Sequence, residues 1–338
     1  MKGQLLSPEP PATDGVPQLS TDSARDLISI QDVTSGEIVR LLQLAASMKA
    51  CPGDFRGVLA GKQLVMFFEK PSLRTRLTFE SGMASLGGTA FFVDQKESRL
   101  GEREPLSDVA HNLERWVNGI VLRTFSHETV LTMAKYAAIP VINALSDFEH
   151  PCQALADMLT LQEKFSNLSG VKLAYVGDGN NVAHSLMLSA ASLGAKINVG
   201  TPPGYEPARE LVEAAQRLAA ANSGEVKITN DPVEAVAGCD AVYTDVWASM
   251  GQESEAATRR KIFSGFQVNK ALMARAAPHA IFMHCLPAHR GDEVAAEVID
   301  SPQSVVFDQA ENRLHIQKAI LFFLMGGMLA PARRSIHA

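Results

Sequence analysis

Short apolar runs rich in β-branched residues alternate along the chain with segments in which apolar residues recur at the helical period. The apolar runs predict strands at 62–68, 89–93, 119–125, 140–145, 172–177, 196–202, 226–229, 241–247, 281–287 and 304–307. The periodic segments between them predict helices, among them 75–87, 105–117, 151–165, 183–194 and 206–221, followed by a final helix at 311–331.

Uninterrupted apolar strands separated by helices are typical of parallel sheets that are covered on both faces. These units lie on both sides of residue 150, so the sequence predicts an α/β protein with two doubly wound parallel-sheet domains. The helix at 151–165 is expected to bridge the domains, and the final helix is long enough to return to the first one. The expected boundaries are a disordered tail at 1–24, a first domain at 25–155, a second domain at 156–310 and a C-terminal segment at 311–338.

Composition narrows the class of protein. The 338 residues are 46% hydrophobic and 6% aromatic, as in soluble globular proteins. No apolar run reaches the roughly 18 residues of a membrane span, and a net charge of −6 disfavours general nucleic-acid binding. The cysteines form no C-x-x-C pair, which argues against zinc and against a disulfide framework. A cytoplasmic protein is therefore expected.

The stretch 69-EKPSLRTRLTFE-80 places arginines and small hydroxyl residues where the first predicted strand gives way to a helix. The first N–H groups of a helix lack internal partners and carry the positive end of its dipole. Arg74 adds a guanidinium fork that matches phosphate oxygens, so the turn has the chemistry of a phosphate cradle without glycines. The alternative is a surface helix capped by Ser72, with Arg76 paired to Glu80. The residues alone leave both interpretations open.

Further polar residues follow other predicted strands, and in parallel sheets ligands bind at the carboxyl ends of the strands. The run 177-GDGNN-181 is similar to part of a dinucleotide-binding turn, but Val182 stands where the third glycine is required. Other candidates have ordinary structural explanations, with Asp245 as a helix cap and Cys285 as a packed thiol.

Six motifs in a fixed order carry a family resemblance: 72-SLRTR-76, 150-HPCQALAD-157, 177-GDGNN-181, 245-DVWASMG-251, 284-HCLP-287 and 311-ENR-313. The first resembles the S-T-R-T-R loop of carbamoyltransferases, and the set is similar to that of the ornithine carbamoyltransferase family from about residue 25 onward. The resemblance implies a first domain that binds carbamoyl phosphate, a second that binds ornithine, and a homotrimer built on the first domain. It implies no cofactor and no metal.

The same resemblance assigns residues to carbamoyl phosphate. Leu73 replaces the commoner Thr of the phosphate loop and keeps only its backbone N–H, while His150 and Gln153 would bind the carbonyl oxygen and the amide nitrogen of the carbamoyl group. Arg99 stands where relatives carry a glutamine and is a candidate replacement for that contact. The implied set is Ser72, Leu73, Arg74, Thr75, Arg123, His150, Gln153, Cys285, Leu286 and Arg313, with Arg123, His150 and Cys285 as its catalytic members.

Asn181, Asp245, Ser249 and Met250 are implied as the ornithine site. Asp245 would take the α-ammonium group, and the form D-x-x-x-S-M-G favours ornithine over aspartate. The implied reaction is attack by the neutral δ-amine of L-ornithine on the carbamoyl carbon, which gives L-citrulline and phosphate, as in arginine biosynthesis. The residues leave open whether Asp245, Cys285 or phosphate takes the amine proton, and in which direction the cell runs the reaction.

Two alternatives accompany this interpretation. A carbamoyltransferase for putrescine or an N-acylated ornithine is disfavoured because those amines lack the α-ammonium group that Asp245 would bind. A nucleotide-binding dehydrogenase on the same type of sheet is disfavoured by the incomplete glycine turn and by the arginines at positions 74, 123 and 313.

Overall fold

The computed structural model describes residues 26–95, 99–248, 251 and 253–326. The predicted tail at 1–24 and the end of the chain, 327–338, lie outside these residues. Among the helices of the described chain, none is both long and apolar enough to cross a membrane.

Two sheets, each with all its strands parallel, form the framework that the sequence predicts. The strands are β1 (Gln63–Phe68), β2 (Thr89–Asp94), β3 (Gly119–Arg123), β4 (Val141–Leu145), β5 (Lys172–Val176), β6 (Lys196–Gly200), β7 (Glu225–Thr229), β8 (Ala241–Thr244) and β9 (Ile281–His284). Their order is β2-β1-β3-β4 in the first sheet and β7-β6-β5-β8-β9 in the second. Parallel neighbours bring the carboxyl ends of their strands to one edge, where ligands bind in such sheets.

Helices connect the strands and cover the sheets. They are α1 (Ser35–Ala50), α2 (Leu73–Ser85), α3 (Leu106–Trp116), α4 (His127–Tyr136), α5 (Pro151–Phe165), α6 (Asn181–Ser192), α7 (Arg209–Asn222), α8 (Pro232–Val236), α9 (Ala256–Ile262), α10 (Lys270–Met273), α11 (Ala296–Ile299) and α12 (Val306–Leu324). Helix α5 bridges the two sheets as predicted, and α12 returns to pack against α1, α2 and α5.

The burial of both faces of β1 explains why its sequence is an almost uninterrupted apolar run. Leu64, Met66 and Phe68 of β1 join a core that continues through α5 into the second domain. Val65 and Phe67, on the opposite face, join a separate core with α3 and α4. Because side chains alternate across a strand, a strand covered on both faces needs apolar residues at every position.

Two predictions at the end of the chain are wrong. The run 304–307 forms no strand: Ser304 makes only an isolated bridge with Phe282, and α12 begins at Val306. The final helix therefore starts five residues earlier than position 311, and among the described residues it ends at Leu324. Arg313 consequently lies in the third turn of the helix instead of opening it. The predicted strands 119–125, 241–247 and 281–287 also end earlier, which places the polar residues that follow them in loops.

Candidate active site

The carboxyl ends of β1 and β3 lie side by side, because Phe68 pairs with Arg123 in parallel register. The Glu69 N–H donates to the Arg123 carbonyl, and Arg123 Nε donates to the Lys70 carbonyl at 3.1 Å. Arg123 is thereby held against the 69–76 turn, with 8% of its surface exposed. The sheet register alone brings together two segments that the sequence places more than fifty residues apart.

Helix α2 has Ser72 as its N-cap, and the Ser72 hydroxyl accepts from the Thr75 N–H at 3.2 Å. Thr75 is fully buried, and its hydroxyl accepts a hydrogen bond of 2.6 Å from Arg313 Nη2 of α12. Arg76 lies on the outer side, where its Nε is 2.9 Å from a carboxylate oxygen of Glu80. The cap and the ion pair of the alternative interpretation are therefore present on the same turn that reaches Arg313.

Lys70, Arg74, Arg123 and Arg313 concentrate positive charge at this edge. Burial lowers the pKa of Arg123 to about 9, and the neighbouring charges of Arg313 and Arg74 act in the same direction. Burial is also the main cause that lowers the pKa of Arg313, and the Arg74 charge adds to it. Buried cations that repel one another are stabilised by an anion, so the cluster favours an anionic ligand.

His150 and Gln153 lie at the start of α5, where Pro151 occupies the first helical position. His150 is 5% exposed and Gln153 is 1% exposed. Burial lowers the pKa of His150 well below its usual value, and the charges of Arg313 and Arg123 lower it further. The imidazole is therefore neutral near pH 7 and carries one donor and one acceptor nitrogen.

Four buried polar atoms of this cluster have no hydrogen-bond partner among the described residues: Arg74 Nε, His150 Nδ1, Gln153 Oε1 and Arg313 Nε. A buried polar group left unpaired costs about 1–3 kcal/mol, so a concentration of them needs an explanation. The two guanidinium N–H groups require acceptors, whereas the Gln153 oxygen requires a donor. The arrangement fits a small ligand that is anionic at one end and carries an N–H or O–H donor elsewhere.

A second polar group follows β8 and β9 of the other sheet. Asp245 is 6% exposed and accepts hydrogen bonds of 3.0 Å from Asn180 Nδ2 and from the Cys285 thiol. Burial raises the pKa of Cys285 well above its usual value, and the Asp245 charge raises it further, so Cys285 stays a thiol. Both partners of Asp245 are neutral, which leaves its negative charge available to an ammonium group.

The turn at 284–287 is held by its own hydrogen bonds. The Leu286 N–H donates to His284 Nδ1 at 2.9 Å, and His284 Nε2 lies 3.3 Å from Glu293 Oε1. His284 and Glu293 are fully buried. The Leu286–Pro287 peptide is cis, and Leu286 has a φ of 59°.

A three-residue group here has metal-ligand chemistry: one ligand atom each from Asp245, His284 and Cys285 lie within 4.8 Å of one another. All three already have internal partners. The Cys285 thiol donates to Asp245, while the His284 nitrogens face the Leu286 N–H and Glu293. The three side chains therefore stabilise the 284–287 turn and its contact with Asp245.

The predicted ornithine residues are only partly described. Asn181 opens α6, and its side-chain amide donates to the Ser146 carbonyl in the loop before α5, so it ties the two domains together. Asp245 lies at the candidate site as stated above. Ser249 and Met250 lie outside the described residues.

Two further predicted residues, Leu73 and Arg99, lie at the surface. Leu73 is 73% exposed, in keeping with a contribution from its backbone N–H alone. The side chain of Arg99 is 64% exposed on the connection between β2 and α3, and its Nε is 3.9 Å from a carboxylate oxygen of Glu102. In the described chain Arg99 belongs to the surface, and its predicted contact stays a prediction.

Four residues of this region were not predicted. Lys70 lies in the stretch 69–80 and Asn180 in 177-GDGNN-181, so their place beside predicted site residues is the signal in the sequence. Asp157 closes the motif at 150–157 and accepts from Gln153 Nε2 at 2.7 Å. Arg259 of α9 pairs with Glu255 at i,i+4 spacing. Its contacts with the Asp178 carboxylate and the Trp247 carbonyl had no signal in the sequence, because these partners are 81 and 12 residues away.

The sequence matches two family models that together cover most of the chain. They are the carbamoyl-P binding domain of aspartate/ornithine carbamoyltransferases over residues 25–163 and the Asp/Orn binding domain over residues 169–324. An ornithine carbamoyltransferase of Symbiobacterium thermophilum is 55% identical over 309 residues, which cover 91% of this chain and 100% of the relative. An anabolic ornithine carbamoyltransferase of Pyrococcus furiosus is 53% identical over 308 residues, with 90% and 98% covered.

A solved structure of ornithine carbamoyltransferase from Pyrococcus furiosus has the same fold. It superimposes with a TM-score of 0.89 at 52% identity and covers 92% of this chain and 100% of that one. A cationic cluster at the edge of the first sheet and a buried carboxylate at the edge of the second are features suited to an α/β transferase that moves a group from an anionic donor to an amine. The chain belongs to the aspartate/ornithine carbamoyltransferase family.

Proposed function

We propose that the protein is an ornithine carbamoyltransferase, which moves the carbamoyl group of carbamoyl phosphate to the δ-amine of L-ornithine and forms L-citrulline and phosphate. The observation that carries this proposal is the set of unpaired buried atoms on Arg74, His150, Gln153 and Arg313. Carbamoyl phosphate offers phosphate oxygens to the guanidinium groups, a carbonyl oxygen to a donor and an amide –NH2 to the Gln153 oxygen. The names of the full-length relatives support the same reaction and, for the relative named anabolic, a place in arginine biosynthesis.

The first domain holds the phosphate. The backbone N–H groups at the start of α2, together with Ser72, Leu73, Arg74 and Thr75, surround it, and Arg313 approaches from α12. Arg123 and neutral His150 donate to the carbamoyl oxygen as the carbonyl carbon becomes tetrahedral. A single donor of this kind is typically worth ~3 kcal/mol of transition-state stabilisation.

The second domain holds the amino acid. Asp245 binds the α-ammonium group, with Asn181, Ser249 and Met250 around the rest of the substrate, and the Leu286 and Cys285 carbonyls face the carbamoyl amide. Because the pKa of Cys285 is raised, the thiol donates to Asp245 instead of removing a proton. The proton of the attacking amine therefore passes to Asp245 or to the departing phosphate.

A homotrimer in the cytoplasm completes the proposal. Edge strand β2 exposes Phe91 and Val93, and the neighbouring helix α2 exposes Leu73 and Leu77. Exposed apolar side chains beside an unpaired strand edge are typical of an interface between subunits. The cysteines are free of disulfides, which supports a reducing compartment.

A citrulline assay tests the reaction. Purified protein is incubated with carbamoyl phosphate and, in turn, with L-ornithine, putrescine and N-acetylornithine. Carbamoylation of ornithine alone is expected. Faster carbamoylation of either other amine would contradict the assignment of the second substrate.

Asp245→Ala is expected to raise the KM for ornithine about tenfold to a hundredfold, because it removes a charged partner worth ~1.5–3 kcal/mol. The affinity for carbamoyl phosphate should stay within about twofold of the wild type. Asp240→Asn is the matched control, since Asp240 lies at the opposite, amino end of β8 and binds Lys172 N–H and His279. Equal effects of the two substitutions on the KM for ornithine would contradict the placement of Asp245 in the ornithine site.

A further inference from the structure

A buried carboxylate, Asp157, lies beneath the cluster where three elements meet. Its Oδ1 accepts from Gln153 Nε2 of α5 and from Gln309 Nε2 of α12, each at 2.7 Å. Its Oδ2 accepts from the Tyr243 hydroxyl of β8 at 3.1 Å. Asp157 is 0% exposed and cannot itself reach solvent. Any effect of Asp157 on a bound ligand must therefore act through one of the three side chains that donate hydrogen bonds to it.

The orientation of Gln309 shows that Asp157 Oδ1 acts as an acceptor. The oxygen of the Gln309 amide accepts from the His284 N–H at 2.9 Å, so its nitrogen must point the other way, at Asp157. The same oxygen lies 2.7 Å from Gln153 Nε2 and accepts from it as well, so the proton of a protonated Asp157 lies on Oδ2, beside the Tyr243 hydroxyl. Gln153 therefore turns its nitrogen toward Asp157.

This orientation decides what Gln153 presents to a ligand. With its nitrogen engaged, the amide leaves Oε1 buried and without a partner among the described residues. A buried acceptor in this position binds a donor and disfavours an apolar group of the same size. Were the amide free to turn over, its –NH2 group could face the ligand instead.

We propose that Asp157 is a positioning residue that selects the group to be transferred: by holding the Gln153 nitrogen, it aims the Gln153 oxygen at the –NH2 of the carbamoyl group and rejects an acyl group with a methyl there. This inference rests on the proposed function, since it takes carbamoyl phosphate as the donor substrate. Acetyl phosphate is the matched probe, because it differs from carbamoyl phosphate by a methyl group in place of –NH2.

The test is the ratio of the dissociation constants for acetyl phosphate and carbamoyl phosphate, measured by titration calorimetry on the full chain. The wild type is expected to bind carbamoyl phosphate about tenfold to a hundredfold more tightly than acetyl phosphate. Asp157→Ala should lower this ratio by about tenfold, toward the ratio of Gln153→Leu, which has no acceptor at all. Asp157→Ser is the second variant if the alanine variant does not fold.

Two conservative variants separate positioning from a general loss of structure. Asp157→Asn should keep the preference, because Gln309 still requires an acceptor at the Oδ1 position and so orients the new amide. Tyr243→Phe removes the donor to the other oxygen and should also keep it. A preference that survives in Asp157→Ala or Asp157→Ser, or that is lost in Asp157→Asn, overturns the inference.

The outcomes for the inference and for the proposed function are distinct. A wild-type protein that forms no citrulline from ornithine contradicts the proposed function. A wild type that forms citrulline but binds both phosphates equally, or whose Asp157→Ala variant keeps the full preference, contradicts only the role of Asp157.

Discussion

A single turn of helix α2 faces solvent and the candidate site at the same time. Ser72 caps the helix and Arg76 pairs with Glu80 on the surface, whereas Thr75 is buried and accepts from Arg313. Side chains one residue apart point about 100° apart around a helix, so neighbours can serve different surroundings. The cap and the surface ion pair are therefore compatible with the proposed phosphate site, because that proposal uses another side of the same helix.

At Asp157, residue chemistry predicts how stability depends on pH. Burial raises the pKa of Asp157 to about 7, against three hydrogen bonds that lower it. The folded protein therefore keeps a proton that the unfolded chain releases near pH 4, and this group makes the protein less stable as pH rises from about 4 to 7. Asparagine does not titrate, so the melting temperature of Asp157→Asn, relative to wild type, should rise between pH 5 and pH 8.

About two pKa units separate pH 5 from the folded pKa, which corresponds to a relative change of roughly 2–3 kcal/mol. Melting temperatures measured by calorimetry at the two pH values check this. Glu149 and Asp178, whose pKa values burial also raises to about 6, titrate in both proteins and cancel from the difference. A difference that does not change with pH would show that Asp157 is ionised in the same way in the folded and unfolded states.

Local residue roles could be predicted from the sequence, whereas distant partnerships could not. The Ser72 cap and the Arg76–Glu80 pair follow from spacing along one helix, which is fixed by helical geometry. The partners of Asp157 include Tyr243 and Gln309, which are 86 and 152 residues away. Such contacts depend on how the sheets and α12 are assembled, and no local pattern specifies that.

Among the secondary-structure elements, the strands of both sheets are predicted from the sequence. The predicted strand at 304–307 is wrong, because α12 begins there. The residues Val305, Val306 and Phe307 form an apolar run of strand type. Helix α12 begins there without a side-chain cap at Val305, so the usual signal of a helix start is missing. Short apolar runs cannot be assigned to strand or helix by periodicity alone.

Helix α9 secures the chain that follows Asp245. Arg259 is 7% exposed, and its Nη1 donates to Asp178 at 2.8 Å and to the Trp247 carbonyl at 3.0 Å. Trp247 lies two residues after Asp245, and Asp178 lies in the loop that carries Asn180. One guanidinium group thus joins the two loops that place the Asp245 carboxylate.

Arg259→Gln should therefore raise the KM for ornithine by about tenfold while the dissociation constant of carbamoyl phosphate changes by less than about twofold. Removing one partner of a buried ion pair leaves Asp178 unpaired, which typically costs ~3–5 kcal/mol and loosens both loops. Arg260→Gln is the matched control, since the Arg260 side chain is 61% exposed and pairs with Asp292 on the surface. Steady-state kinetics with each substrate varied in turn would show whether the neighbouring arginines differ, and equal KM values would argue against this role.

For the molecule as a whole, polar contacts couple the two domains around α5. The Asn181 amide donates to the Ser146 carbonyl, and the Ser185 hydroxyl accepts from the His150 N–H at 2.9 Å while donating to Glu149 at 2.9 Å. These contacts join the loop that carries His150 to α6 of the second domain. The position of His150 in the candidate site is therefore tied to the second domain.

The exposed apolar residues beside β2 make the assembly testable with a matched pair of substitutions. Val93 of β2 is 37% exposed and Val233 of α8 is 43% exposed. The two valines therefore have similar exposure but lie on different parts of the surface. If the protein is the proposed homotrimer and β2 lies in its interface, Val93→Glu places a charge in an apolar contact and should convert the trimer into smaller species, whereas Val233→Glu should leave it intact. Light scattering coupled to size-exclusion chromatography measures both masses. Because neither valine is in a core, an unchanged mass for Val93→Glu would contradict a subunit interface at β2.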